Sequence, residues 1–262
     1  MDLLEVKERV IKQEVRHPWE LARLGIITEL IGKYTNIKED SLILDIGCGD
    51  LFVIEHIARI YPQAKFFAVD TAFNKELIEY YNNTVVLNNL KLFPSLNEAL
   101  PFISDKVDLV LLLDVIEHIK DDIEFLKGLE KYPPIGPKTK IIITVPAFQW
   151  LFCAHDKFLG HYRRYTNKLL KKHTADAGFS NIYCGYFFSS LIPLRIIQVI
   201  KEKVLRISPS MTTDLVEWKG SKGISDFLKN LLLFDYKITS LFKKAGIRIF
   251  GLSNYIICQK SA

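Results

Sequence analysis

The stretch Ser41-Leu42-Ile43-Leu44-Asp45-Ile46-Gly47-Cys48-Gly49-Asp50-Leu51 decides how this chain is read. Leu42-Ile43-Leu44 has the length and apolar character of a strand buried on both faces of a parallel sheet. Asp45 ends the run, two glycines follow one residue apart, and an apolar helical pattern begins near Leu51. A strand that turns this sharply into a helix aims backbone N–H groups and the positive helix end at whatever occupies the turn. Gly47 and Gly49 permit close backbone approach and φ values that a side chain would oppose. A carboxylate just before the turn can grip a cation. The stretch therefore suits an adenosine-type ligand that carries a charged amine.

Working outward, the same strand-then-acid pattern recurs. Lys65-Phe66-Phe67-Ala68-Val69 ends at Asp70, and Val107 to Leu113 ends at Asp114. An acid at the end of the second strand of a doubly wound sheet lies where both hydroxyls of a ribose can donate to it. Asp70 follows Asp45 at a spacing close to the roughly 20 residues expected for that role. Thr84-Val85-Val86-Leu87 reads as a third strand, which would put Asn88 and Asn89 at its end within reach of an adenine ring. A fifth strand spans Lys140 to Val145, after a break at Pro133, Pro134, Gly136 and Pro137. Helical patterns fall between the strands, over 51–61, 74–81, 96–100 and from Lys120 to about Tyr132. Five strands each followed by a helix imply an α/β fold with right-handed crossovers, a doubly wound and mainly parallel sheet.

Ahead of the first strand, residues 3–15 have a short helical pattern, and a second helix runs from Pro18 to about Tyr34, entered by His17 and Trp19. Residues 147–165 form a loop dense in polar and aromatic groups, followed by a helix capped by Thr166 and ended by Gly178. A strand over 181–188, a helical insertion over 191–248 and a final strand at Tyr255-Ile256-Ile257-Cys258 complete the chain. We expect a single domain over 1–262, with an N-terminal helical lid over 1–36 and the insertion before the last strand.

Composition narrows the function. With 262 residues, 49% of them apolar and 25% charged, the chain can bury a full core. A net charge of +5 tilts it towards anionic partners but falls short of a dedicated nucleic-acid binder. Four cysteines without a C-x-x-C pair speak against a zinc site and a disulfide framework, and favour a reducing, cytoplasmic setting. No metal is expected. The charged N-terminus does not read as a signal peptide, and no apolar run reaches the roughly 18 residues of a membrane span.

Taken together, L-D-I-G-C-G, F-A-V-D, D-L-V-L-L-L-D-V-I-E-H-I-K-D-D and I-I-I-T-V-P-A resemble a class I S-adenosylmethionine-dependent methyltransferase over roughly residues 18–190 and the last ten. That resemblance implies a Rossmann-like sheet of seven strands, the last one antiparallel, and S-adenosylmethionine as cofactor. Asp45 would face the methionine amino group, Gly47 and Gly49 would let the loop approach, Asp70 would take the ribose, and Asp114 would line the methionine side. Where the family usually has a third glycine, this chain has Leu51. The run H-D-K-F-L-G-H-Y-R-R-Y-T looks like a bacterial subgroup often linked to envelope polysaccharide or lipid-linked glycan assembly.

Methyl transfer from an activated donor asks mainly for positioning and, where needed, deprotonation of the acceptor. The loop after the fifth strand supplies candidates: His155 as base, Asp156 and His161 assisting, and Arg163 and Arg164 holding an anionic group bidentately. The expected acceptor is a small molecule or a lipid-linked glycan. Tyr186 to about Ile207 combines an apolar front with Lys201, Lys203 and Arg206, as a peripheral membrane contact would. Two other readings remain: a binding module that keeps the fold without catalysis, and a nicotinamide-dependent oxidoreductase, for which Phe52 is a poor third glycine.

Overall fold

A computed structural model of the chain describes residues 16–103, 106–203, 218 and 220–261. Its strands are β1 (Leu42–Ile46), β2 (Lys65–Val69), β3 (Leu90–Phe93), β4 (Val107–Leu113), β5 (Ile135–Pro146), β6 (Phe179–Phe187) and β7 (Ser253–Lys260). They form one sheet in the order β3-β2-β1-β4-β5-β7-β6. β1 through β5 pair in parallel, and β7 runs antiparallel between β5 and β6. The order in which strands are added reverses between β1 and β4, and the C-terminal edge at that switch is where ligands bind in such sheets.

Both faces of the sheet are covered, which is why its central strands are continuously apolar. Ile43, Leu111, Ile142 and Ile257 face one core, shared with helix α1 (Pro18–Tyr34) and helix α2 (Phe52–Ile60). Leu44, Val110, Ile143 and Ile256 face the other. The alternation is the period of two that a pleated strand imposes. α1 opens as its sequence suggests: His17 accepts from the Trp19 N–H, Glu20 completes the capping box, and Pro18 occupies the first turn.

Chain order continues with α3 (Lys75–Thr84), α4 (Leu96–Ala99), α5 (Asp122–Glu130), α6 (Ala154–Phe158), α7 (Asn167–Asp176), α8 (Ile192–Lys203) and α9 (Lys222–Lys244). α9 buries Ser225, Leu232, Tyr236 and Thr239 and packs on α1. The helix expected over 3–15 and the part of the insertion over 204–217 lie outside the described residues. Among the described residues, no helix is long and apolar enough to cross a membrane.

Three expectations are corrected. The run Thr84 to Leu87 is not a strand: Thr84 ends α3 and Val86 is 72% exposed. β3 starts only at Leu90, so Asn88 lies before it, on the edge of the sheet away from the ligand. Its neighbour Asn89 pins the end of α2 there, donating to the carbonyls of Ala58, Tyr61 and Ala64. β5 begins at Ile135, five residues early, because a register shift opposite Val107–Leu109 absorbs the prolines. The Thr139 hydroxyl bridges that shift, accepting from the Gly136 N–H and donating to the Val107 carbonyl. Phe187 and Phe188, expected at the front of an interfacial segment, are buried in the core instead.

Two glycines test the packing. A Cβ at Gly251 would stand 2.2 Å from the Phe187 carbonyl oxygen, rigid backbone that holds β6 beside β7. Gly128, exposed on α5, has nothing within 4 Å. We expect Gly251→Ala to lower stability by more than ~2 kcal/mol and Gly128→Ala to raise it by ~0.5–1 kcal/mol. Urea unfolding of the two variants beside the parent checks both signs.

Candidate functional site

The turn after β1 holds the features of the site closest to the sheet. Gly47 and Gly49 have φ of +71° and +61°, and a Cβ on Gly47 would come within 2.7 Å of Val115. Leu51, standing for the third glycine, also takes a left-handed φ of 65°. Its side chain is fully buried in the core, so it does not crowd the cleft; the conformation costs roughly 1–2 kcal/mol. Asp70 underpins the turn from β2: Gly49 N–H donates to Oδ2 at 2.9 Å and Ala72 N–H to Oδ1 at 3.0 Å. Each oxygen keeps one further acceptor position.

Around this turn lies a narrow cleft, partly open to solvent, bordered by Asp45, Gly47, Cys48 and Asp50 from the turn and by Trp19, Glu20 and Arg23 from α1. Asp45 is 1% exposed and its Oδ1 has no hydrogen-bond partner among the described residues. Burial, reinforced by the Asp70 charge and opposed by Arg23, pushes its pKa up to about 7. Arg23 was invisible to the sequence reading. It crosses from α1 to Asp114 at 2.9 Å and donates to the Thr144 hydroxyl, which in turn donates to Asp114. Desolvation would raise the Asp114 pKa, but Arg23 and Thr144 outweigh it and hold the carboxyl below its ordinary range. Arg16 pairs with Asp50 and closes the outer end of the same wall.

Beyond Asp114 the turn Ile116–His118 meets the loop after β5. That loop closes at its base, where Phe148 N–H donates to the Tyr165 carbonyl and Tyr165 N–H to that of Pro146. Tyr162 N–H donates to the Glu117 carbonyl at 2.8 Å and so sets His161 beside His118, with ring centroids 4.5 Å apart. Glu117 is fully buried, and neither of its carboxylate oxygens has a partner among the described residues. Burial, reinforced by Asp114, pushes its pKa well above the ordinary carboxylate range.

The loop candidates separate into three kinds. Asp156 is spent on structure: it accepts from the Cys153 N–H, Arg164 Nε at 2.7 Å and Arg195 at 2.8 Å, and pairs with His161 Nδ1 at 3.0 Å. Burial opposes its charge, yet His161, Arg164 and Arg195 drive its pKa far below the ordinary range, so it cannot serve as a base. Arg164 is likewise committed, to Asp156 and the Ala147 carbonyl. Arg163 turns to another side of the loop, pairing with Asp122 at 2.6 Å and with the Lys120 carbonyl. There Asp122 also receives the Tyr165 hydroxyl and His173. His155 is half-buried; burial and then the Arg195 charge lower its pKa to about 4, which keeps it neutral but weakly basic. The structure thus brings His155, Asp156, His161 and Arg164 together, and sets Arg163 and Asn88 apart from them.

Comparison with known proteins bears on the family and the fold. A family described as "Methyltransferase domain" matches residues 20–183. No curated sequence matches the chain. Among solved structures, coclaurine N-methyltransferase bound to N-methylheliamine and SAH is similar at 15% identity, over 95% of this chain and 74% of that one, with a TM-score of 0.56. A Haemonchus contortus phosphoethanolamine N-methyltransferase 2 in complex with S-adenosyl-L-methionine is 18% identical over 92% of this chain and 52% of that one, TM-score 0.53. The [4+2]-cyclase SpnF is 12% identical over 90% and 81%, TM-score 0.53. At these identities the likeness is one of fold.

Asp45 makes the cleft a liability to stability. Its pKa near 7, above the ordinary carboxylate value of 3.8, means that the native state keeps a proton the unfolded chain gives up. The ligand-free protein therefore loses stability as pH rises from about 4 to about 7. Asp45→Asn should gain on the parent across that window, by on the order of 1–3 kcal/mol at pH 8 and close to nothing at pH 4. Denaturant melts of both proteins at the two pH values measure the difference; an equal gain at both would refute the raised pKa.

Proposed function

The chain belongs to the methyltransferase domain family, and on that premise we propose that it moves the methyl group of S-adenosylmethionine to an amphiphilic acceptor with an anionic head. The observation that carries the cofactor half is Asp45, a buried carboxylate with an oxygen unpartnered among the described residues, beside a left-handed glycine turn. An ammonium group supplies the missing charge and donors together. Asp45 takes the methionine amine, the Gly47–Gly49 backbone approaches the cofactor, Asp70 accepts from the ribose hydroxyls with its remaining positions, and Asp114 lines the methionine side.

Once bound, the cofactor supplies a sulfonium methyl group that needs only a nucleophile in line. The protein's own part is to position and to exclude water. α1 acts as the lid: Trp19, Glu20 and Arg23 wall the cleft, and the Arg23–Asp114 pair latches that helix to the end of β4. The acceptor lies beyond Asp114, against His118 and His161, with His155 nearby as the neutral imidazole that can take a proton. Asp156 and Arg164 serve as positioning residues for that wall.

Support for an amphiphilic acceptor comes from the insertion. On α9, Ile224, Phe227, Leu231, Phe234 and Leu241 are exposed along one face, opposite the residues that pack on α1. On α8, Leu194, Ile197 and Ile200 do the same. Lys201 and Lys203 close α8, and Lys243 and Lys244 close α9. Apolar stripes that end in cations fit the headgroup region of an anionic membrane, from which a lipid-linked acceptor could be drawn.

Two measurements follow. Asp70→Ala should bind S-adenosylmethionine about thirtyfold or more weakly by calorimetry, the loss of two charge-assisted bonds worth ~2–4 kcal/mol; unchanged affinity removes Asp70 from the ribose. Vesicles rich in anionic lipid should sediment the parent at low salt, whereas Phe227→Asp/Phe234→Asp should remain in the supernatant. If neither protein binds, the acceptor is not taken from a membrane.

A further inference from the structure

We propose that Glu117, His118 and His161 form a binding site for one divalent metal cation, with Asp156 as the outer partner that orients His161. The three residues come from two segments, the turn after β4 and the loop after β5, and each offers a ligand atom within 4.8 Å of the others. Ligands sharing an ion at ~2.1 Å stand ~3.4 Å apart, so no pair has more than about 1.4 Å to close, within the reach of side-chain adjustment.

What points to a ligand is Glu117. Its side chain is fully buried, and neither carboxylate oxygen meets a donor among the described residues. A buried carboxylate left without donors costs several kcal/mol, and a bound cation satisfies both oxygens at once. The second argument is His161. Its Nδ1 is held 3.0 Å from Asp156, which leaves Nε2 as the free ring nitrogen. A histidine that donates one ring N–H to a carboxylate and offers the other nitrogen outward is the usual state of a metal ligand. Asp156 is kept anionic by Arg164 and Arg195, so the orienting contact does not depend on the ion. The backbone bond from Tyr162 to Glu117 holds the two segments in register without any metal.

One glutamate and two histidines suit zinc, manganese, iron(II) or cobalt(II) rather than calcium. Three protein ligands leave coordination positions open. On the methyl-transfer reading, which this role rests on, those positions take oxygen atoms of the acceptor. The cation lowers the pKa of an acceptor hydroxyl, its proton leaves to water or His155, and the oxygen attacks the methyl carbon. The O–C bond forms as the S–C bond breaks, with the electron pair retained on sulfur. The site therefore assigns an oxygen acceptor.

The full chain, stripped with a chelator and dialysed, is titrated with Co²⁺ alone and read by visible absorption, with Zn²⁺ and Mn²⁺ as competitors. We expect one equivalent bound, d–d bands of imidazole ligation, a higher Tm with metal, and at least tenfold weaker binding in Glu117→Gln and in His161→Asn. His56→Asn, exposed on α2, should bind as the parent does. No stoichiometric binding, or Glu117→Gln binding as tightly as the parent, overturns the site. Because the titration contains no cofactor, a parent that binds cobalt but not S-adenosylmethionine upholds the site and removes the methyl-transfer reading instead.

Discussion

A single buried carboxylate, that of Asp156, holds the loop after β5 in place. It has no solvent exposure and draws in a backbone N–H, two guanidinium groups and an imidazole. Three of these partners lie in the loop after β5 itself, and the fourth, Arg195, lies on α8. Arg164 closes the loop after β5 on itself, Arg195 ties that loop to α8, and His161 is turned by the contact towards Glu117 and His118. A buried ion pair contributes little net stability on average, but removing one member leaves the others as uncompensated charges. The network is better understood as a device for specifying one arrangement of loop, insertion and turn.

On the cofactor side the same logic appears with the signs reversed. Three acids converge on the ends of β1, β2 and β4, and Arg23, borne on α1, enters among them as a fixed cation. Asp114 is paired with it, Asp70 is engaged by two backbone N–H groups, and Asp45 has an oxygen without a partner among the described residues. Burial of Asp45 therefore costs the protein stability at neutral pH. Leu51 adds a second local cost, a left-handed backbone without glycine, offset by full burial of its side chain.

Much of this was legible in the sequence where one residue type carries the signal. Apolar runs that stop at Asp45, Asp70 and Asp114 located three strands and put their acids on one edge of the sheet. The third strand failed because β-branched Thr84, Val85 and Val86 outrank Leu90-Lys91-Leu92-Phe93 on intrinsic preference. Tertiary pairing with β2 decides otherwise, and Asn88 was misplaced with it. Arg23 was missed because helical periodicity separates buried from exposed faces and does not say which buried position carries a charge across a cleft. Density of polar groups singled out residues 155–165, but Arg163 turns away to Asp122, and how the others are bonded depends on Arg195, thirty-nine residues beyond Asp156. No local pattern reports such a partner.

The position of β7 has a consequence for how the chain can fold. β6 hydrogen-bonds to β7 alone in the sheet, and β7 lies between it and β5. Until Ser253–Lys260 has left the ribosome, β6 has no strand to pair with and β5 presents an open apolar edge. The parallel half of the sheet can assemble early, whereas its antiparallel half must wait for the whole helical insertion to be made. Contacts this distant in sequence close slowly, and an unpaired edge is the surface on which nascent chains aggregate. α9, synthesised just before β7, packs on α1 and shortens the search by delivering the last strand to the correct side of the sheet.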